Sequence, residues 1–360
     1  MTPEAEAIID ALAARSIVPW LIFAVVLLLS LLLPFVVKPL LVRMRIMDVP
    51  TARSSHERPV LRGLGLAVLI AMTIGYGLGI WAQPALFPEP QPNAGAVGQL
   101  ALALLGAAAL ASGLLGLGED LKGVSVLARS ALLLLIAGGV AFGLVFYAGA
   151  AWWIVIYAVL FVSGYINVAN FMDGLNGISG FHGVIAGLTF AACGLLSGAV
   201  WLTIAGLILA AGFAGFLPWN LTKPGAFLGD VGSYLLGGAT AATSLFALMS
   251  GVPILATIGP MIIYFGDVGV TLVKRVRAGH KWDEPHKEHV YQRLNQLGLT
   301  HLQASGVTAL FTLVASALGL ASFFVAPIWW LVLLVLGLGL LALYLRLPRL
   351  LGSSSERTTP

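Results

Sequence analysis

Residues 152–197 read WWIVIYAVLFVSGYI, then NVANFMDGLNG, then ISGFHGVIAGLTFAACGLLS, a polar segment between two long apolar runs. A helix that crosses a bilayer needs about 20 apolar residues, which the runs at 152–166 and 178–197 approach. The segment at 167–177 carries amides, a carboxylate and turn glycines. Polar groups are costly at a membrane face, so their clustering indicates a functional site. The stretch therefore predicts membrane helices with a site where two of them meet.

Composition extends this interpretation to the whole chain. The 360 residues are 59% hydrophobic and 9% charged, which is typical of a protein whose solvent is mostly lipid. Strand-like alternation is absent, which disfavours a β-barrel. The predicted fold class is all-α: a polytopic integral membrane protein with a single domain over residues 1–360. Eleven spans are predicted, at 17–37, 64–81, 99–117, 131–147, 152–166, 178–197, 200–218, 234–249, 252–273, 302–325 and 328–345.

The basic residues predict the orientation. With eleven spans, every Lys and Arg except Arg15 falls on one side, which is therefore predicted to be cytoplasmic. The N-terminus is then outside and the C-terminus inside. Inner loops are expected at about 38–63, 118–130, 167–177, 219–233 and 274–300, and they carry most of the carboxylates. A cleaved leader is not expected, because leaders are basic. Cys193 stands alone, which excludes an internal disulfide.

The first two inner loops offer candidate phosphate and cation ligands. Arg62, followed by glycines, predicts a phosphate-binding collar, with a solvated basic loop as the alternative. The adjacent carboxylates Glu119 and Asp120 repel each other, which favours a shared cation or proton, although a helix cap also explains them. Lys122 and Arg129 follow closely enough to reach the same anion.

The third inner segment suits a hard cation. Asn167, Asn170 and Asp173 fall three apart and so share one face of a helical end. Amide and carboxylate oxygens suit Mg²⁺, which keeps several waters and is completed by substrate phosphates. Asn176 and Gly177 predict a turn where the backbone can approach a ligand.

The remaining inner loops add one carboxylate and a basic group. Asp230, between glycines at the start of the eighth span, predicts a carboxylate beside free backbone amides, although it could equally cap the helix. His286 and His289 lie three apart, as one helical turn would align them, and Arg293 follows. No Cys accompanies them, so phosphate recognition is favoured over zinc. His182, inside a span, is predicted to be a core histidine.

In this order the segments resemble the polyprenyl-phosphate N-acetylhexosamine-1-phosphate transferases, the family that includes the phospho-N-acetylmuramoyl-pentapeptide transferase. Spaced histidines and the 286–294 segment are more similar to the branch that starts O-antigen or other surface glycans; the peptidoglycan enzyme is the alternative within the family. The matching motifs are Asp48-x-Pro50, Arg53, His56, Pro59, Arg62-Gly63, Glu119-Asp120, Asn167-x-x-Asn170-x-x-Asp173-Gly174-x-Asn176-Gly177, Gly229-Asp230-x-Gly232-Ser233, Asp267, Lys274-Arg275, Asp283 and His286-x-x-His289.

The resemblance implies a reaction. A UDP-N-acetylhexosamine and undecaprenyl phosphate would give undecaprenyl-diphosphate-N-acetylhexosamine and UMP, with Mg²⁺ or Mn²⁺ as cofactor. It also implies a bacterial inner membrane location, with the active site facing the cytoplasm. The lipid bilayer is an expected partner and nucleic acid is not; the oligomeric state, a homodimer included, stays open.

The resemblance also suggests residue roles. Asp230 and Asn170 would hold the metal ion and the diphosphate, Asp120 with Glu119 would deprotonate or orient the lipid phosphate, and Asp173 would lie on the nucleotide side. Phosphate binding would fall to Arg62, Lys122, Arg129, Asn167, His286, His289 and Arg293.

Two points and two other classes of protein stay open. Glu119 stands where the family usually has Asp, which leaves the identity of the base open. An aspartate nucleophile with a covalent intermediate is the alternative to direct attack. A polytopic lipid or sugar transporter is disfavoured because the charges gather at one face. A non-catalytic scaffold is disfavoured because acidic and basic groups occur together.

Overall fold

The structure is a computed structural model that describes residues 3–44, 46–48, 60–86, 92–222, 225–281 and 286–355. This part of the chain is almost entirely helical, as predicted. It also contains two short 3₁₀ helices, Gly259–Met261 and Pro327–Trp329. The helices are α1 (Pro3–Leu32), α2 (Pro34–Arg43), α3 (Gly65–Leu86), α4 (Pro92–Lys122), α5 (Val126–Ala148), α6 (Trp152–Met172), α7 (Ile178–Ser197), α8 (Val200–Leu221), α9 (Gly229–Met249), α10 (Ile254–Ile258), α11 (Ile262–Arg277), α12 (Val290–Gln296), α13 (His301–Ala321) and α14 (Trp330–Ser355).

Eleven helical segments among the described residues are long and apolar enough to cross a membrane, which confirms the predicted number. The first, Ser16–Arg43, joins α1 and α2 across a turn at Leu33. The third, Ala94–Lys122, continues past its predicted end at residue 117. The acidic pair at 119 and 120 therefore lies on the last turn of α4, where the helix holds the direction of each side chain.

The centre of the bundle is formed by α8 and α9. In the most apolar stretch of each span, 83% of the residues are buried in the α8 span and 94% in the α9 span, against 6% in the last span. Helices in lipid associate through small residues that let their backbones approach. A Cβ on Gly187 of α7 would lie 2.4 Å from the backbone nitrogen of Ala210 in α8. The last span therefore lies at the edge of the bundle and turns most of its surface to lipid.

A short antiparallel ladder departs from the all-helical prediction. It pairs β1 (Met47–Asp48) with β2 (Val60–Leu61). The Phe227 N–H, just before α9, donates to the Leu61 carbonyl at 2.8 Å. These bonds join the chain before α3 to the chain before α9, although the two segments are far apart in the sequence.

The close approach of these two segments depends on glycine. The Gly65 N–H donates to the Leu228 carbonyl at 2.8 Å, and a Cβ on Gly65 would lie 2.6 Å from the Gly232 backbone. The glycines after Arg62 thus let two backbones meet. The result places Arg62 beside the first turn of α9.

The ninth span is interrupted between Ile258 and Ile262. Pro260 lies in the 3₁₀ turn between α10 and α11, where its missing N–H breaks the helical hydrogen-bond pattern. The chain then resumes as α11, which carries Asp267 into the protein interior with none of its surface exposed.

Candidate active site

Arg62 joins the end of α4 to the start of α9. Its Nε lies 2.8 Å from Asp120 Oδ1, and its Nη2 lies 2.5 Å from Asp230 Oδ2. The Asp120 side chain is fully buried, whereas Asp230 is 17% exposed and Arg62 34%. The guanidinium presents donors in a fixed plane, so one arginine can hold two carboxylates in one arrangement. Asp230 remains reachable from the surface.

Asp120 also binds the N-terminus of α9. Its two oxygens accept the backbone N–H groups of Asp230 at 3.0 Å and Val231 at 2.9 Å. Free N–H groups at a helix start attract negative charge, and here a carboxylate from another helix supplies it. The prediction of free amides beside Asp230 is therefore wrong, as is capping of this helix by Asp230 itself: Asp120 occupies the amides.

The acidic pair does not share a partner. Residues adjacent on a helix point about 100° apart, and Glu119 turns to Arg129, whose Nη1 lies 3.3 Å from Glu119 Oε1. The predicted shared cation or proton is not supported by this geometry. Arg129 also contacts Tyr234, one turn along α9 from Asp230. Glu119 and Arg129 thus form a second polar group beside the first.

Arg62, Asp120 and Asp230 form the Arg62 group. Asn170, at the end of α6, contacts this group. Its Nδ2 donates to Asp230 Oδ1 at 2.8 Å and to Ser233 Oγ at 3.0 Å. Asn167 lies one turn earlier, and its amide donates instead to the Ser163 carbonyl of its own helix at 2.9 Å. The described contacts thus bring Asn170, and not Asn167, to the predicted site.

Asp173 follows directly after α6. The Ser179 hydroxyl donates to its Oδ1 at 2.6 Å. Burial raises the pKa of Asp173 to about 7, the Ser179 hydrogen bond opposes the rise, and the nearby Asp230 charge adds to it. A carboxyl with such a pKa can hold or release a proton near neutral pH.

The turn after Asp173 binds protein groups. Gly177 N–H donates to Asn220 Oδ1 at 2.5 Å, and Asn176 Nδ2 donates to the Asn220 carbonyl at 2.8 Å. A Cβ on Gly174 would lie 2.3 Å from the Tyr291 hydroxyl. The sequence correctly predicts a turn, and the contacts of this turn join α6, α8 and α12.

The histidines meet without the predicted helical alignment. Residues 286–288 are not helical, and His289 is the N-cap of α12. The rings still lie together, with centroids 4.8 Å apart. Burial first, then the neighbouring His289 and Arg275, lower the pKa of His286 to about 4. His286 is therefore neutral at pH 7.

Asp267 organises this histidine group, and the sequence reasoning did not select it as a site residue. Its Oδ1 lies 3.1 Å from His289 Nδ1, and its oxygens accept the Val290 N–H at 3.2 and 3.0 Å. Tyr344 donates to it at 3.2 Å and Thr271 at 3.3 Å. The sequence did contain a signal for this residue: a carboxylate inside a membrane span needs polar partners, and so marks a candidate site.

Tyr291 connects the histidine group to the end of α6. Burial raises its pKa well above the ordinary value, so the hydroxyl keeps its proton and donates to the Phe171 carbonyl at 3.0 Å. Asp267 and Asp173 both act on it electrostatically. The two groups of candidate residues therefore belong to one end of the bundle.

Other candidates lie at the margin or beyond the described residues. Lys122 is exposed and Arg293 is half-buried on α12. His182 is buried and bonds the Tyr165 hydroxyl through Nε2 at 2.7 Å, which confirms a core histidine. The motif residues that lie outside the described residues are Pro50, Arg53, His56, Pro59 and Asp283.

The oxygen atoms of these side chains suit a hard divalent cation whose coordination is completed by oxygens of the substrate. Within the described residues, no group of three His, Cys, Asp or Glu side chains could hold a metal ion alone. Mg²⁺ often takes one or two protein carboxylates and completes its shell with water and phosphate oxygens. Asp230 is partly exposed, its carboxylate oxygens can ligate a metal ion, and the Asn170 amide lies beside it. These residues suit such a site once Arg62 is drawn to other anions.

Comparison with known proteins gives consistent relatives. The model of glycosyl transferase family 4 matches residues 101–248, which include Asp120, Asn170, Asp173 and Asp230. A decaprenyl-phosphate N-acetylglucosaminephosphotransferase of Mycolicibacterium smegmatis is 30% identical over 74% of this chain and 73% of the relative. A "Probable undecaprenyl-phosphate N-acetylglucosaminyl 1-phosphate transferase" of Bacillus subtilis is 28% identical over 78% of both chains.

A more distant relative comes from the peptidoglycan branch. The phospho-N-acetylmuramoyl-pentapeptide-transferase of Desulforamulus reducens is 30% identical over 56% of this chain and 59% of the relative. The region matched by the family model contains Asp120 and Asp230, the two carboxylates that the fold brings together around Arg62. On this similarity and geometry, the chain belongs to glycosyl transferase family 4, among the polyprenyl-phosphate N-acetylhexosamine-1-phosphate transferases.

Proposed function

We propose that the protein transfers N-acetylhexosamine 1-phosphate from a UDP-sugar to undecaprenyl phosphate, releasing UMP. The observation that carries this proposal is the Arg62 bridge between Asp120 and Asp230 at one end of an eleven-span bundle. Asn170 and Asp173 lie at the same end. A lipid phosphate and a water-soluble nucleotide can meet only at such a membrane face.

The reaction joins two anions. An oxygen of the lipid phosphate forms a new bond to the sugar-linked phosphorus, and the bond from that phosphorus to the UMP oxygen breaks. Phosphoryl transfer depends on positioning and on neutralising charge, because the protein itself forms few bonds. Mg²⁺ or Mn²⁺ bound at Asp230 and Asn170 would supply much of that neutralisation.

Arg62 is placed to exchange partners. In the free protein its guanidinium pairs with two carboxylates. Arginine binds phosphate oxygens at two points as well as carboxylate oxygens, so an arriving diphosphate can compete for it. Its movement toward substrate would free an oxygen of Asp230 for the cation.

Asp120 is assigned a positioning role. Both of its oxygens already accept donors from α9 and from Arg62. A general base needs an accessible lone pair within reach of the proton. Orientation of Arg62 and α9 therefore suits Asp120 better than deprotonation of the lipid phosphate, and Asp173 has the pKa suited to proton exchange on the nucleotide side.

The histidine group would bind the departing UMP. With Nδ1 protonated, His289 donates a hydrogen bond to Asp267, which leaves Nε2 as the free ring nitrogen. His286 and Arg293 lie beside it in the chain, and a phosphate nearby would favour the protonated imidazole. Lys122 and Arg129, at the end of α4 and the start of α5, would contribute to phosphate binding at the rim.

The wider setting completes the proposal. The active site faces the cytoplasm of a bacterial inner membrane, because the basic residues lie on that side. The product would start O-antigen or another surface glycan. The relatives' names favour N-acetylglucosamine as the first donor to test.

A reconstituted assay tests this function. Purified protein would be mixed with undecaprenyl phosphate, Mg²⁺ and each of several UDP-N-acetylhexosamines, and UMP release would be measured with and without EDTA and in Asp230→Asn. We expect UMP from one sugar, dependent on lipid and abolished by EDTA and by the substitution. UDP binding and the thermal midpoint report whether the variant is folded.

The transporter alternative predicts a different result. Folded protein that releases no UMP from any donor, but moves a labelled lipid or sugar across vesicles, would refute the transferase. Sugar-dependent UMP release would refute the transporter and the scaffold.

A further inference from the structure

A basic cavity lies between α11 and α14, away from Arg62 and its partners. It has a volume of about 200 Å³ and is lined by Lys274, Arg346, Arg349, Ala342 and Leu345. Arg346 and Arg349 are three apart on one helix and so share a face. Three cations from two spans therefore converge on one space, and no carboxylate lines it.

These cations are not neutralised by the described protein. In the ranges that the structure describes, no carboxylate pairs with Lys274, Arg346 or Arg349. The nearby Glu288 lines an adjoining cavity of about 110 Å³ and pairs with Arg275. Like charges held together repel each other, so their convergence favours an external anion.

The cavity lies at the ends of two spans, the level at which lipid headgroups are expected. Lys274 is in the last turn of α11, and both arginines are in the final part of the last span. Ala342 and Leu345 form the apolar rim of the cavity. Val273 and Leu350, the chain neighbours of Lys274 and Arg349, are each 51% exposed on the outer surface of their helices. An anion bound here would thus have its polar part among cations and apolar chains along the neighbouring helix faces.

We propose that this cavity binds the phosphodiester headgroup of an anionic glycerophospholipid. Basic pockets between spans at a cytoplasmic face have the charge and shape for such headgroups. Free phosphate would use the same cations, but would leave the apolar rim unused. None of the residues that line the cavity belongs to the Arg62 group.

The adjoining cavity brings a bound headgroup close to Asp267. Thr271 and Val290 line that cavity, and both donate hydrogen bonds to Asp267. Lys274 lines both cavities. The lipid would therefore stabilise α11 against α14 behind the histidine group without contacting the reacting phosphates.

The test uses the full-length protein in detergent and native mass spectrometry. Binding of phosphatidylglycerol, phosphatidylcholine and inorganic phosphate would be compared for the wild type and a K274Q/R346Q/R349Q variant. A matched control, R43Q/R277Q/K281Q, removes three charges outside the cavity. Each basic residue near an anionic lipid contributes roughly fivefold in affinity, so we expect at least a tenfold weaker affinity for phosphatidylglycerol in the cavity variant and little change in the control.

Several results would overturn the proposal. Equal losses in the two triple variants would show a general charge effect, and equal binding of phosphatidylcholine would remove the role of the anion. Binding of inorganic phosphate as tight as that of phosphatidylglycerol would make this a free-phosphate site. Displacement by undecaprenyl phosphate at equal concentration would make it part of the substrate site. If the triple variant misfolds, R349Q and K274Q alone should each weaken phosphatidylglycerol binding, and unchanged affinity in both would reject the site.

Discussion

Replacing Asp120 by Asn keeps the shape of the side chain and removes the charge that joins α4 to α9. Asp120 accepts two backbone N–H groups of α9 and the Nε of Arg62. Asn offers a single acceptor oxygen and turns an NH₂ group toward the remaining donors. The substitution therefore tests whether this carboxylate positions the site.

The magnitude follows from these contacts. A buried N–H left without an acceptor costs about 1–3 kcal/mol. Loss of the ion pair with Arg62, which is 34% exposed, adds about 1 kcal/mol or less after solvent screening. We expect the free energy of unfolding to fall by about 1–4 kcal/mol in total. Turnover should fall about 100-fold, because a shift of roughly 1 Å in a positioned group costs that much.

The adjacent residue provides the matched control. Glu119→Gln changes acid to amide on the same helical turn, but the Glu119 ion pair with Arg129 is long, at 3.3 Å, and its arginine is 30% exposed. Such a pair contributes about 1 kcal/mol or less, so turnover should change less than about fivefold. UMP release and detergent denaturation would be measured on both variants. Turnover kept in Asp120→Asn and abolished in Glu119→Gln would refute the reasoning.

Three further predictions concern packing, pH and the histidine group. Gly116→Ala should destabilise the protein by about 1–3 kcal/mol, because its Cβ would lie 2.1 Å from a carbonyl oxygen of α9. Gly118→Ala is the control, since the nearest atom to its Cβ lies at 4.0 Å. Equal thermal midpoints for the two variants would contradict this prediction. Because the pKa of His286 is lowered from 6.5 to about 4, the folded state binds fewer protons than the unfolded state, so stability should fall as pH falls from 6.5 to 4. His286→Gln should lessen that fall, and identical midpoint–pH curves would count against it. Asp267→Asn should lower turnover by about tenfold to a hundredfold, by analogy with the carboxylates that orient metal-bound histidines. A variant with normal turnover and a normal pH profile would show that Asp267 does not position His289.

Much of the fold was predictable because lipid imposes a simple rule. Backbone groups in a bilayer must bond within their own segment, so long apolar runs become helices, and the number of spans follows from the runs alone. The candidate residues were also predictable by type, since Asp230, Asn170 and Arg62 stand out as polar groups at the ends of such runs. Asp267 was harder to select, because its function depends on partners from α12 and α14.

Side-chain partnership was decided only by the tertiary structure. Sequence spacing suggested that Glu119 and Asp120 act together, but helix geometry turns them to different arginines. Spacing also suggested a helical turn for His286 and His289, whereas Asp267 binds the first N–H of α12 and makes His289 its N-cap. The sequence by itself determined the spans and the chemical types at one face of the bundle, because these depend on local hydrophobicity. Which carboxylate meets which donor depends on contacts between residues more than 100 positions apart, such as Asp120 with Asp230, and only packing brings those together.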